Sequence, residues 1–147
     1  MSLVDWLGNG WLVEHRTSAQ EIGDLLAVVD RDMRDCAVPG LSPDWRLNIA
    51  YNAALQAGTV ALAACGYRAS REAHHYWGIE SLVFTIGAES SLVRRFDQFQ
   101  KKRNIGEYDR AGTISDHEAD EMVALAQDIR DRVKSRLRSN HPNLLGE

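Results

Sequence analysis

Between Ser42 and Gly66 the chain reads SPDWRLNIAYNAALQAGTVALAACG, a stretch in which apolar and small residues fall on nearly every side of a helix. At about 100° per residue, residues such as Leu47, Ile49, Ala53, Val60 and Leu62 spread around the axis, whereas Asn48, Asn52, Gln56 and Thr59 gather in one narrow stripe. A helix that is apolar almost all round must be surrounded by other elements, so this segment predicts the central helix of the fold. Ser42 supplies an N-cap, Pro43 a first helical position and Gly66 a stop. Its alanines and Gly58 permit close approach of a neighbour. The polar stripe either faces solvent or lines a cleft, where its amides and hydroxyl would meet a ligand or another polar side chain.

The rest of the chain supplies partners for this helix. Ser18-Ala19-Gln20-Glu21 reads as a capping box, followed by an Ile22, Leu25, Leu26, Val29, Met33 stripe, which predicts a first helix over about 18 to 36. Ser70 is expected to cap a third helix over about 71 to 87, with His75, Ile79, Leu82 and Ile86 on one stripe and His74 off it. A fourth helix is expected over about 90 to 105. Ser115-Asp116-His117-Glu118 is a second capping box, opening a long last helix with Met122, Ala126, Ile129, Val133 and Leu137 inward and a stop before Pro142. Residues 1 to 16 are expected to form a small hairpin or an arm, in which Trp6 and Trp11 need cover from this subunit or a neighbour. Residues 17 to 139 form the bundle, and 140 to 147 a frayed tail. Five helices with short connections predict an all-α, up-and-down bundle.

A chain of 147 residues is one domain by size and can bury a continuous core without disulfides or a structural metal. Cys36 and Cys65 each end an apolar helical pattern, which predicts buried thiols in a reducing compartment. With no apolar run of about 18 residues and no basic, then apolar, leader pattern, the expectation is a soluble cytoplasmic protein with no membrane contact. The net charge of −4 argues against a surface that binds nucleic acid everywhere by charge, but leaves room for a local basic groove. Positive charge clusters in Arg94 to Arg103 and in Arg130 to Arg138, each readable as a solvated helix face. His74 and His75 are adjacent and point apart, so no metal site is expected, and nothing calls for a cofactor.

The stretch with most chemical content is Lys101-Lys102-Arg103-Asn104-Ile105-Gly106-Glu107-Tyr108. Leu92, Phe96, Phe99 and Arg103 stand at i, i+4, i+7 and i+11, so Arg103 is aimed where the apolar side chains go. An inward guanidinium is costly unless a carboxylate, a carbonyl or a bound anion meets it. The plainer alternative is a helix-end arginine whose stem packs while its head reaches water or Glu107.

Taken together, Arg103-Asn104 at a helix end, Tyr51-Asn52-Ala53-Ala54-Leu55 in the central helix and the Ser42 to Arg46 opening resemble the HEPN superfamily, helical bundles named for nucleotide binding in higher eukaryotes and prokaryotes. The resemblance covers roughly Ser18 to Arg138. It implies a homodimer in which an arginine and a histidine meet in an interfacial cleft and cleave RNA without metal, and it implies a nucleotidyltransferase or antitoxin partner. The chain departs from the pattern at one position: Tyr108 stands where the histidine would. A phenol, with a pKa of about 10, is a poorer proton shuttle near neutrality than an imidazole at about 6.5. On a straight helix Arg103 and Tyr108 lie about 140° apart, so their convergence needs a bend at Gly106 or a second subunit.

As a ribonuclease, Arg103 would stabilise charge on the scissile phosphate, Asn104 would hold that phosphate or orient Arg103, and Tyr108, or His75 in its place, would handle the proton. Lys101, Lys102, Arg94 and Arg95 would guide the strand, with Asn48, Tyr51 and Asn52 contacting substrate. The alternatives are a non-catalytic module binding nucleotide, RNA or a protein in the same cleft, and a helical dimeric interaction protein with no nucleic-acid role.

Overall fold

The computed structural model describes residues 1–108 and 114–145, with side chains described for 1–102 and 114–145. The protein is an all-α helical bundle carrying one small two-stranded ribbon. In chain order it forms α1 (Leu3–Gly8), β1 (Leu12–Glu14), α2 (Ala19–Asp35), α3 (Pro43–Ala64), β2 (Tyr67–Ala69), α4 (His74–Glu80), α5 (Leu82–Thr85), α6 (Ser90–Tyr108), α7 (Asp116–Asn140) and a 3-10 turn, Pro142–Leu145.

Helix α3 is central, as its all-round apolar pattern requires, with α2 and α7 as its most extensive neighbours. Ser42 Oγ accepts from Trp45 N to cap it, and Pro43 occupies the first turn. Asn48, Asn52, Gln56 and Thr59 are the partly exposed positions expected of the polar stripe. On the opposite side of the crossing with α4, Gly58 faces Gly78: a Cβ added at Gly58 would stand 3.4 Å from Gly78 O. A single methyl would just fit at this crossing, whereas a larger side chain would push the helices apart. In α7 the five predicted inward residues are all buried, and the Ser115/Glu118 capping box is formed in both directions. In α2, Ser18 caps through Glu21 N, but the Glu21 carboxylate turns away to Thr17 Oγ1 at 2.6 Å and His15 Nε2 at 2.7 Å, leaving the box half made.

Three expectations are corrected and, for residues 1 to 16, one of the two alternatives is chosen. The third helix does not run unbroken from 71 to 87. Strand β2 claims the chain through Ala69, Ser70 N donates to Trp11 O at 3.0 Å, and α4 starts only at His74, after Ala73 in the left-handed region. Buried Ser81 then interrupts the helix, its Oγ donating to Gly78 O at 2.8 Å in competition with the backbone ladder. The N-terminal arm is no hairpin with itself: α1 leads into β1, which pairs antiparallel with β2 in the register Leu12↔Ala69, Val13↔Arg68, Glu14↔Tyr67. Trp6 is covered by this same chain, ringed by Trp11, Trp77 and Phe84. Cys36 is buried with its Sγ near Met33 O, but Cys65 is exposed, because the chain has already left α3 there for the Gly66 turn. Residues 142–145 form a turn with Leu144 and Leu145 on the core, in place of a frayed tail.

Candidate functional site

The polar stripe of α3 does not simply face solvent. Asn52, Gln56 and Thr59, with Leu55 and Leu62, form one wall of a cleft of about 490 Å³. The other wall comes from β2 and the start of α4: Arg68, Ala69, Arg71, His74, His75 and Gly78. The local sequence explains this wall. Gly66, at φ +95°, ends α3 and reverses the chain, β2 runs antiparallel beside β1, and Ala73 at φ 55° redirects it into α4. A non-glycine residue in the left-handed region costs about 1 kcal/mol or more, and here it stands immediately before the two histidines.

Behind the cleft surface, Tyr51 is buried and its hydroxyl lies 3.1 Å from His75 Nδ1, with one of the two atoms donating according to the imidazole tautomer. The Tyr51 ring packs edge-on against Phe96 of α6, and His74 stands edge-on to His75 at 4.3 Å. Tyr51 thus joins α3, α4 and α6 at one point. Asn52 Nδ2 donates to Asp32 Oδ2 at 2.7 Å, and the other oxygen of this buried carboxylate accepts from Arg31 at 3.1 Å. Beyond the two histidines, at the end of α4, burial pushes the Glu80 carboxyl above its ordinary value, and Asp97 nearby adds to the effect.

The charge lining the cleft is one-sided, whereas several cations elsewhere on the bundle are held in ion pairs. Arg130 and Lys134 share Asp30, at 2.7 and 3.1 Å. Arg132 holds Glu89 with two nitrogens, at 2.9 and 3.1 Å, and Arg46 reaches Asp120. Arg68 and Arg71 meet no carboxylate within ion-pair distance among the described residues, and no acidic side chain lines the cleft. The Arg130 to Arg138 cluster largely serves as the solvated, ion-paired helix face the sequence allowed.

Of the residues expected at the site, the structure brings Asn52, Tyr51 and His75 together. Asn48 stands a turn away, its Nδ2 donating to Asp44 O at 2.9 Å, while its buried Oδ1 meets no donor among the described residues. Lys101 and Lys102 lie on the outer face of α6, paired with Asp97 at 3.3 Å and with Glu118. Leu92, Phe96 and Phe99 are buried, as their stripe requires. The side chains of Arg103, Asn104 and Tyr108 lie outside the described residues.

Sequence reasoning missed Arg68, Arg71, His74 and Asp32 as parts of this region. A signal existed for Asp32, which stands seven residues after Leu25 and so on the flank of the apolar stripe of α2. No comparable signal marked Arg68, because the strand that orients it depends on a pairing with residues more than fifty positions earlier.

Chemically, the cleft presents neutral donors and acceptors and an apolar strip from α3, facing guanidinium and imidazole groups from the β2–α4 side. Such a set suits an anionic ligand with a partly apolar body and polar edges. No family model matches the chain, and no curated protein or solved structure matches it.

Proposed function

We propose that this is a HEPN-like, cytoplasmic protein that binds RNA or a nucleotide, and that it acts as a homodimer. The observation that supports this best is the cleft on the polar stripe of α3, lined by no acidic side chain among the described residues, with Tyr51 paired to His75. It is the kind of site that receives a phosphate and a base together, and Asn52 in its lining and Tyr51 behind it both belong to the helix that carries part of the HEPN resemblance.

As a ribonuclease without metal, the chemistry runs through the substrate's own 2′-hydroxyl. The 2′-oxygen attacks the adjacent phosphorus, the 5′-oxygen leaves, and a cyclic phosphate remains. His75 would take the 2′-proton, its ring oriented by Tyr51, and Arg103 would stabilise the charge on the phosphoryl oxygens. An imidazole suits a proton transfer near neutrality better than a phenol does. The second reading is a binding module without turnover, favoured by the tyrosine at the position of the HEPN histidine. A small nucleotidyltransferase or antitoxin is the partner that the HEPN resemblance suggests.

The test is incubation of the purified protein with a mixed RNA pool in the absence of divalent metal, using wild type, Arg103→Ala, His75→Ala and Tyr108→His. Each variant is first shown to be folded by circular dichroism. Cleavage by wild type, lost in Arg103→Ala and in His75→Ala, is the result expected of the enzyme. Silence in wild type with cleavage gained in Tyr108→His is expected of the binding module. Neither cleavage of RNA nor binding of RNA or a nucleotide by any variant would sink both readings in favour of a helical interaction protein.

A further inference from the structure

We infer that Arg68 and Arg71 form a subsite for a terminal phosphate monoester, whose organic body lies in the cleft against Asn52, Gln56 and Thr59. The inference deepens the nucleotide reading and rests on it for the identity of that body, while the phosphate subsite stands on the charge and geometry of the β2–α4 wall.

Three independent observations carry it. First, the cleft's volume, about 490 Å³, falls within the range of about 300–1,000 Å³ typical of small-molecule sites. Second, its charge is one-sided: two guanidinium groups and the exposed His74 come from one wall, with no carboxylate in the lining and no ion-pair partner for either arginine among the described residues. Unpaired arginines occur elsewhere on the surface, but only at this cavity do two of them and an imidazole line one concave space without a carboxylate among the described residues, which suits an anion from outside. Third, the backbone carrying them is held in place before any ligand arrives. Arg68 is fixed opposite Val13 by the strand register, Ser70 N donates to Trp11 O just beyond it, and Trp11 stacks on Trp77 of α4 at 4.4 Å and 10°. Charges on a preorganised backbone lose less on binding.

The balance of charge also selects the kind of phosphate. An internal phosphodiester carries one negative charge, whereas a terminal monoester carries nearly two at neutral pH and offers three oxygens. Two planar donor forks with an imidazole beside them match the second group better than the first. The body then meets the amides of Asn52 and Gln56 and the Thr59 hydroxyl, groups able to bond the polar edge of a base while Leu55 and Leu62 cover its face. Free nucleotides and the 5′-phosphorylated end of an RNA strand share this chemistry.

Isothermal titration of the full chain tests the subsite. The probes are AMP, adenosine, and a short single-stranded RNA with either a 5′-phosphate or a 5′-hydroxyl. The variants are Arg68→Gln with Arg71→Gln, and Arg138→Gln as an exposed control outside the cleft. AMP is expected to bind at least ten-fold more tightly than adenosine, a preference that the double variant erases and Arg138→Gln keeps, with all thermal melts unchanged. A matching preference for 5′-phosphorylated RNA identifies the strand end as a ligand; its absence, with AMP still preferred, identifies the free nucleotide. Equal affinity for AMP and adenosine, or a preference that survives the double variant, overturns the subsite. If RNA is still cleaved or bound in that case, the nucleotide reading outlives it; if no probe binds at all, both fall together.

Discussion

Replacing Tyr51 with phenylalanine removes one hydroxyl from a buried ring and leaves its packing on Phe96 in place. The loss of a single hydrogen bond of this kind costs about 0.5–1.5 kcal/mol, so Tyr51→Phe is expected to unfold at slightly lower denaturant with an unchanged slope. Its effect on chemistry would be larger than its effect on folding. If His75 moves a proton, the variant lowers kcat and displaces the pH profile while KM stays near wild type, because Tyr51 orients the ring without touching substrate. A loss of apparent kcat that only follows the folded fraction, with the pH profile unmoved, would assign Tyr51 a packing role only. At this scale the sequence was partly legible. Tyr51 and His75 were both visible as polar groups aimed inward, but the pairing of one with the other depends on how α4 crosses α3.

That crossing is an element-scale feature with its own test. At Gly58 an added Cβ would lie 3.4 Å from Gly78 O, at the edge of ordinary contact. Gly58→Ala is expected to be neutral or stabilising by up to about 1 kcal/mol, since alanine gains that much helix propensity over glycine. Gly58→Val pushes the helices apart and is expected to cost about 1–3 kcal/mol. Thermal melts of the two variants distinguish them, and a valine variant as stable as wild type would show that the close approach carries no load. Helices α2, α3 and α7 were legible because caps and stripes agree along their whole length. The broken helix around Ser81 was not, because its apolar positions kept the helical period while a buried serine took a backbone carbonyl. Strand β2 was hidden for a different reason: three residues hold too little alternation to register, and their partner is distant in sequence.

For the molecule as a whole, α7 is tied to α2 through Asp30, which accepts from Arg130 and Lys134. Burial alone would raise the Asp30 carboxyl, but the hydrogen bonds from Lys134 and Arg130 outweigh it and hold it below its ordinary value of 3.8. An acid depressed in the folded state stabilises the fold above its ordinary value, and that contribution fades as pH drops toward the folded value. Asp30→Asn should therefore cost about 1 kcal/mol at pH 7, with the gap from wild type closing as pH falls below 3.8. A gap independent of pH in chemical denaturation would point to shape and not charge. The bundle architecture could be read from the chain because one helix was too apolar to stand anywhere but the centre. The cleft could be read only by half: α3 announced its polar stripe, while the arginines opposite it stand on a strand that exists through tertiary pairing.

The β1–β2 ribbon also sets a rhythm for the molecule. Its two strands close a loop of about fifty residues and pair over three residues with one further backbone bond at each end, His15 N to Gly66 O and Ser70 N to Trp11 O, a short ladder for the chain entropy spent. Such a unit opens by itself, well before the helices around α3 let go. Native-state hydrogen exchange should find the amides of residues 12 to 14 and 67 to 69 among the first to exchange, and those of α3 among the last. The arginine wall of the cleft is then formed in nearly all molecules at any instant and yet opens more often than the core, so ligand occupancy would be read out as slowed exchange of residues 12 to 14 and 67 to 69.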